Sequence, residues 1–230
     1  KNTRYLDAAK YFLDARGKEG VGRPDKYNQS HLPVTQQTEA VGHSVRASYM
    51  WTAMADVAAI TRNQDYVKAI NTLWHDVVDT KYYINGGIGS TGSHEGFGAQ
   101  YELPNLTAYN ETCAGVGNAT WNHRMFLMTG HAKYMDVLER TMFNNILTGV
   151  SFEGNTFFYP NPLASMGQYE RSEWFGCACC PPNVARFLPS MPGYIYAQKG
   201  DEVFVNLYIS NQSTLQLPGG NLTIQQESSL

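Results

Sequence analysis

The sequence predicts a mainly α chain with a C-terminal β segment: part of an alpha/alpha toroid of the six-hairpin barrel type, followed by the start of a β-sandwich. Two observations carry this expectation. Apolar residues recur at helical spacing through most of the first 199 positions, in segments joined by polar or glycine-rich loops. From Glu202 onward the period changes to two, with turn residues between short runs. Paired helices linked by functional loops and then strands is the order of a toroid that carries a β-domain behind it.

Taken in order, Tyr5, Leu6, Ala9, Phe12 and Leu13 share one helical face behind Thr3, a candidate N-cap, and Gly17 closes this helix. Gly20 to Pro33 reads as a long loop. Positions 44–60 and 64–78 read as an antiparallel helix pair separated by Arg62-Asn63. The glycine-rich run from Asn85 to Gly98 has no G-x-x-x-x-G-K-[ST] pattern and no long preceding strand, so it reads as a loop lining a cleft and not as a phosphate cradle. Helices are expected at about 112–129 and 131–149, then an extended passage around Thr156-Phe157-Phe158-Tyr159. Strands are expected at Val203 to Ile209, Thr214 to Leu217 and Asn221 to Gln225. This places a helical domain at 1–199 and the opening of a β-domain at 200–230. Only about six helices precede the strands and Lys1 is not a methionine, so the chain reads as a piece of a longer protein. In half a barrel, Met50, Trp51, Val57 and Leu73 would lose their neighbours and stand exposed.

Composition narrows the function. The net charge is -3, from 17 basic and 20 acidic side chains, which leaves no basic footprint for nucleic acid. No stretch approaches a membrane span and no signal peptide is visible, so the compartment is open between the cytoplasm and a bacterial periplasmic or secreted route. Aromatic residues make up 13% of the chain and 15 of them are tyrosines, whose flat face and hydroxyl suit sugars as well as cores.

The cysteines are the most informative residues. Three fall inside Cys177-Ala178-Cys179-Cys180, directly before Pro181-Pro182-Asn183, and the fourth, Cys113, lies two residues after Glu111. Adjacent cysteines reach one point only where the backbone turns, and Pro181 and Pro182 supply a loop that feeds a helix. Glu111 and Cys113, at i and i+2, belong at the start of a helix and not in its interior. Three sulfurs and a carboxylate brought together make a closed four-coordinate set for zinc. Disulfides or buried free thiols are the other readings, since the paired C-x₂-C spacing of common zinc modules is missing.

Three strings then carry a resemblance: Gly89-Ser90-Thr91-Gly92-Ser93-His94-Glu95, Tyr101-Glu102-Leu103-Pro104-Asn105 through Glu111-Thr112-Cys113, and Cys177-Ala178-Cys179-Cys180-Pro181-Pro182-Asn183. Together they resemble the β-L-arabinofuranosidases of glycoside hydrolase family 127 and its relative, family 146, from about His43 to the first strands. The resemblance implies that Glu111, Cys113, Cys179 and Cys180 bind zinc, that Cys179 is the nucleophile and that Glu95 is the general acid/base. It further suggests His43 and Tyr159 as sugar contacts, and an arabinofuranoside-containing oligosaccharide or glycoconjugate as the partner. A zinc-bound thiol is deprotonated at neutral pH, which suits a nucleophilic role for Cys179.

Bland roles stand beside these. His94 reads as a loop hydrogen-bonding group, Glu102 as an exposed or helix-pairing carboxylate, and His43 as a cap of the helix after it. Tyr82, Tyr83 and Trp121 read as core, and His75, His123 and His131 lie outside the site. Two other function classes are a carbohydrate-binding protein without catalysis and a structural-zinc interaction domain. The joint presence of Glu95 and Cys179 argues for the enzyme.

Overall fold

The computed structural model describes residues 3–229, which form two compact units divided between Val184 and Ala185. The first unit is helical. It contains α1 (Arg4–Ala15), α2 (Ser44–Thr61), α3 (Gln64–Thr80), α4 (Thr112–Thr129) and α5 (Ala132–Thr141). The chain is therefore mainly α with β structure at its C-terminal end, as its periodicity predicts.

Local chemistry sets the helix ends. Thr3 makes no side-chain cap bond, contrary to the expectation, whereas Arg16 closes α1 just before Gly17, whose φ of 74° needs a glycine or its equivalent. His43 caps α2: its Nδ1 accepts the Val45 N–H at 3.2 Å. Asn63 caps α3 through Oδ1, which accepts from Asp65 N and Tyr66 N. Glu111 occupies the cap position of α4 but makes no cap bond, which frees its carboxylate for another task.

The core lies between α2, α3 and α4. Trp51 and Trp121 meet at 4.6 Å between ring centres, and a Cβ on Gly117 would overlap the Ser48 hydroxyl, so α2 and α4 approach closely. Met50, Trp51, Val57 and Leu73 are buried here, at 9%, 1%, 2% and 0% exposure, which corrects the expectation that they stand open. The α4 face that carries Ala114, Trp121 and Met125 is among what covers this core. Tyr83 and Trp121 are buried, as predicted.

The segment expected as one helix from 131 to 149 changes geometry after Thr141, passing through a π-turn at Met142–Ile146 and a 3₁₀ turn at Leu147–Gly149. Its neighbours are polar. Asn145 and Asn161 are buried, and Asn161 donates to Asn145 O and to Thr148 Oγ1, both at 3.0 Å.

A buried ion pair orders the loops that flank the site. Lys81, 3% exposed, donates to Ala40 O at 2.7 Å and stands 3.4 Å from Asp76 Oδ2. Asp76 in turn accepts from Ala40 N at 2.7 Å and from Gln100 Nε2 at 2.9 Å. Glu39 also reaches Lys81 at 3.2 Å from a more exposed position, so it is loss of Lys81 that would leave the buried Asp76 without a cation, at a cost of about 3–5 kcal/mol. The end of α3 thus holds both the loop before His43 and the loop after Glu95.

The helix α6 (Cys180–Phe187) begins at Cys180, earlier than the two prolines suggested. Pro181 and Pro182 fall in its first turn, where backbone N–H groups have no intrahelical partner and nothing is lost. The second unit holds a short helix α7 (Pro192–Ile195) and two antiparallel hairpins, β1 (Tyr196–Lys199) with β2 (Glu202–Val205), and β3 (Asn211–Leu217) with β4 (Gly220–Gln226). Gln226 Nε2 donates to Tyr196 OH at 2.7 Å, which ties one hairpin to the other. The strand β1 was not expected. No helix among the described residues is long and apolar enough to cross a membrane.

Candidate active site

Glu111, at the first turn of α4, and Cys113, inside it, face the turn that leads into α6. There the four groups named by the sequence meet: one ligand atom each of Glu111, Cys113, Cys179 and Cys180 lies within 4.8 Å of all the others. Cys113 Sγ is 3.4 Å and Cys180 Sγ 3.8 Å from Cys179 Sγ, and Glu111 Oε1 is 3.5 Å and 3.7 Å from Cys179 and Cys180. All four cysteines are free thiols, so the disulfide reading falls away. Cys177 is exposed and stays out of the cluster.

The donor set fits a tetrahedral soft cation. Metal–sulfur bonds of about 2.3 Å put sulfurs about 3.8 Å apart at tetrahedral corners, close to the spacing seen here. The second oxygen, Glu111 Oε2, is buried without a hydrogen-bond partner, an expensive position for a carboxylate that has no cation beside it. Electrostatics within the bare cluster agree. Burial raises the Glu111 carboxyl to about 8, and the Cys179 charge adds to the effect. Among the thiols, Cys179 is held well below the ordinary range, chiefly because Cys113 and Cys180 donate to it and also because Tyr159 does. Cys113 is pushed up, first of all by its bond with Cys179, and Cys180 is pushed up by its bonds with Cys113 and then Cys179. The electrostatics of the cluster therefore favour the thiolate at Cys179 over the other two sulfurs.

Glu95 sits beside this cluster. Ligand atoms of His43, Glu95 and Glu111 lie within 4.8 Å of one another. The backbone of Glu95 has φ 53°, a left-handed conformation that a non-glycine residue keeps only where its surroundings impose it. They do so here. Ser44 donates to Glu95 O from both N, at 3.1 Å, and Oγ, at 3.0 Å, while a Cβ on the next residue, Gly96, would overlap Gly42 O. The Glu95 side chain is held at both oxygens: Tyr109 OH donates to Oε1 at 2.7 Å, and His43 Nε2 lies 3.1 Å from Oε2. Because His43 Nδ1 accepts from Val45 N, its Nε2 carries the hydrogen and donates. Burial lowers the His43 pKa against the pull of Glu95, which keeps the ring neutral.

The structure thus brings together every residue named from the sequence. Tyr159 OH lies 3.0 Å from Cys179 Sγ, within hydrogen-bond reach, and its backbone O accepts from Thr112 N at the start of α4. Tyr109 was missed by sequence reasoning. Desolvation, followed by its bond to Glu95, raises its pKa far above the tyrosine range, so its hydroxyl remains a donor. His94 bonds Thr91 and Phe97 O within its loop, as its bland role required. Glu102 caps a turn by accepting from Ala99 N.

Residues 1–193 match the family described as β-L-arabinofuranosidase, GH127 catalytic domain. The chain belongs to this family. It is 33% identical over 258 aligned positions to a non-reducing end β-L-arabinofuranosidase of Bifidobacterium longum subsp. longum, an alignment covering 98% of this chain and 39% of that protein. Among solved structures, it is similar to a GH127 β-arabinofuranosidase at 56% identity with a TM-score of 0.96, over 99% of this chain and 36% of the other. A GH127 β-L-arabinofuranosidase from Geobacillus stearothermophilus T6 gives 38% identity and a TM-score of 0.93, over 99% and 40%. The chain spans about two fifths of the length of these GH127 relatives.

Proposed function

We propose that this chain carries the catalytic centre of a retaining glycoside hydrolase that releases β-L-arabinofuranosyl residues from the non-reducing ends of oligosaccharides or glycoconjugates. The observation that supports this reading most directly is the placement of a charge-bearing thiol, Cys179, and a doubly held carboxyl group, Glu95, on the two sides of Glu111. Membership of the family supplies the substrate class. Residues 1–199 are read as part of the catalytic barrel and 200–230 as the opening of a β-sandwich.

In the first step the Cys179 sulfur forms a bond to the anomeric carbon as the bond to the leaving oxygen breaks, and the Glu95 proton passes to that oxygen. In the second, Glu95 takes a proton from water, whose oxygen displaces the Cys179 sulfur. Two inversions give net retention. Glu111, Cys113, Cys179 and Cys180 would hold zinc, which when bound keeps the sulfurs deprotonated at neutral pH. His43 and Tyr159 would also contact the sugar, in addition to their contacts with Glu95 and Cys179.

The test is hydrolysis of an aryl β-L-arabinofuranoside by the zinc-loaded full chain, with product configuration followed by NMR. Release of β-L-arabinofuranose as the first product is expected. Release of the α anomer, or no hydrolysis by protein of verified zinc content, would end this reading.

A further inference from the structure

Glu95 has to alternate between acid and base without changing position, and the structure shows two different kinds of partner on its two oxygens. At Oε2 stands His43 Nε2, a partner whose hydrogen is fixed by the Val45 N–H bond to Nδ1. At Oε1 stands Tyr109 OH, at 2.7 Å, a hydroxyl that rotates freely about its C–O bond. Tyr109 itself is well anchored. Its N donates to Ser90 O at 3.3 Å and its O accepts from Asn161 N at 2.9 Å, so it links the glycine-rich loop that carries Glu95 to the segment before α4. Its ring lies 6.3 Å from that of Tyr159, the residue that touches Cys179.

We infer that Tyr109 is a positioning residue for the general acid/base: its hydroxyl, 2.7 Å from Oε1, holds the carboxyl group in place in both of its protonation states. This deepens the retaining-hydrolase reading and rests on it. The assignment follows from the donors. His43 Nε2 can only donate, whereas a hydroxyl can donate or accept, so the Tyr109 contact survives whichever oxygen of Glu95 carries the proton. It is therefore the fixed point about which Glu95 works. A carboxyl group released from it keeps its chemistry and loses its aim.

The test is Tyr109→Phe in the zinc-loaded full chain, with Glu95→Gln as a parallel control. Both are assayed on a β-L-arabinofuranosyl disaccharide and on aryl β-L-arabinofuranosides of graded leaving-group acidity. Tyr109→Phe should slow the disaccharide about ten- to a hundredfold while changing the glycosylation rate of the most acidic aryl leaving group less than about threefold. Zinc content and melting temperature should match the parent protein. The same loss on every substrate, or a loss of zinc, would overturn the inference in favour of a packing role near Glu111. An unchanged disaccharide rate would also overturn it. If Glu95→Gln itself shows no dependence on the leaving group, Glu95 is not the acid; the retaining-hydrolase reading then fails, and the role of Tyr109 with it.

Discussion

The Tyr159 hydroxyl lies 3.0 Å from the Cys179 sulfur, while the thiols of Cys113 and Cys180 close on the same atom at 3.4 Å and 3.8 Å. One sulfur thus gathers three hydrogen-bonding neighbours. These contacts lower the Cys179 pKa, those with Cys113 and Cys180 most and that with Tyr159 less.

This arrangement predicts selective alkylation in chelator-treated protein. The Cys179 pKa is lowered and those of Cys113 and Cys180 are raised, so near pH 6 thiolate is present at Cys179 and absent from the other two. Iodoacetamide should label Cys179 well before its two neighbours, as read by peptide mass spectrometry. Tyr159→Phe removes one donor to the thiolate, which moves the Cys179 pKa upward and should slow labelling at pH 6 more than at pH 9. Labelling of Cys113 or Cys180 ahead of Cys179 would contradict the charge assignment.

Cysteine variants separate metal holding from nucleophilic attack. Cys113→Ala removes a buried ligand that has no place in the covalent step, so zinc and activity should fall together, with activity down at least about a hundredfold. Cys179→Ser should abolish turnover even where much of the zinc remains, because a neutral hydroxyl is a much weaker nucleophile than a thiolate. Zinc content by elemental analysis, set beside the rate for each variant, checks this. Turnover by Cys179→Ser near the parent rate would place the nucleophile elsewhere.

How much of this was legible in the sequence depends on what each residue does. The Glu111, Cys113, Cys179 and Cys180 set was readable because sulfur is scarce and its chemistry narrow, and because two prolines announced a turn. Glu95 was readable only through its resemblance to a family, since nothing in its spacing distinguishes it from Glu102. Tyr109 was invisible: one tyrosine among 15 carries no mark, and its role comes from a loop folding back over 14 positions. The burial of Met50 and Leu73 was misjudged because helical period reports which face is apolar and not what covers it. β1 was missed for a related reason, as four residues from Tyr196 to Lys199 show no usable alternation.

Away from the cluster, His123 predicts a pH dependence of stability. Burial, with Arg124 nearby, lowers its pKa from 6.5 to about 4. The unfolded chain therefore takes up this proton first as the pH falls. The folded state loses stability from about pH 6.5 downward, and the loss is complete below about pH 4, where it reaches about 3 kcal/mol. Urea unfolding at pH 7.0, about 5.5 and about 4.5 should show a steeper decline for the parent than for His123→Gln, whose side chain does not titrate. Parallel declines would mean that His123 is protonated in the folded protein.

Cys179 and Glu95 divide the nucleophilic and proton-transfer work of the two steps between them. Glu95→Gln keeps the size and most hydrogen bonding of the side chain but holds no transferable proton, so a poor leaving group should depart about a hundredfold or more slowly, whereas an acidic phenol needs no proton and should leave nearly as before. With such a phenol the second step becomes limiting, because water attacking the sugar on Cys179 now lacks its base. A mass increase of one pentose should then accumulate on the peptide that contains Cys179, visible after rapid acid quench and digestion. An adduct on the peptide carrying Glu111 would make a carboxylate the nucleophile and leave the sulfurs only a metal-holding role. Accumulation on Cys179, together with recovery of turnover by added azide and a β-configured azide product, would fix the order of events: sulfur attacks first, and Glu95 serves both steps from one position.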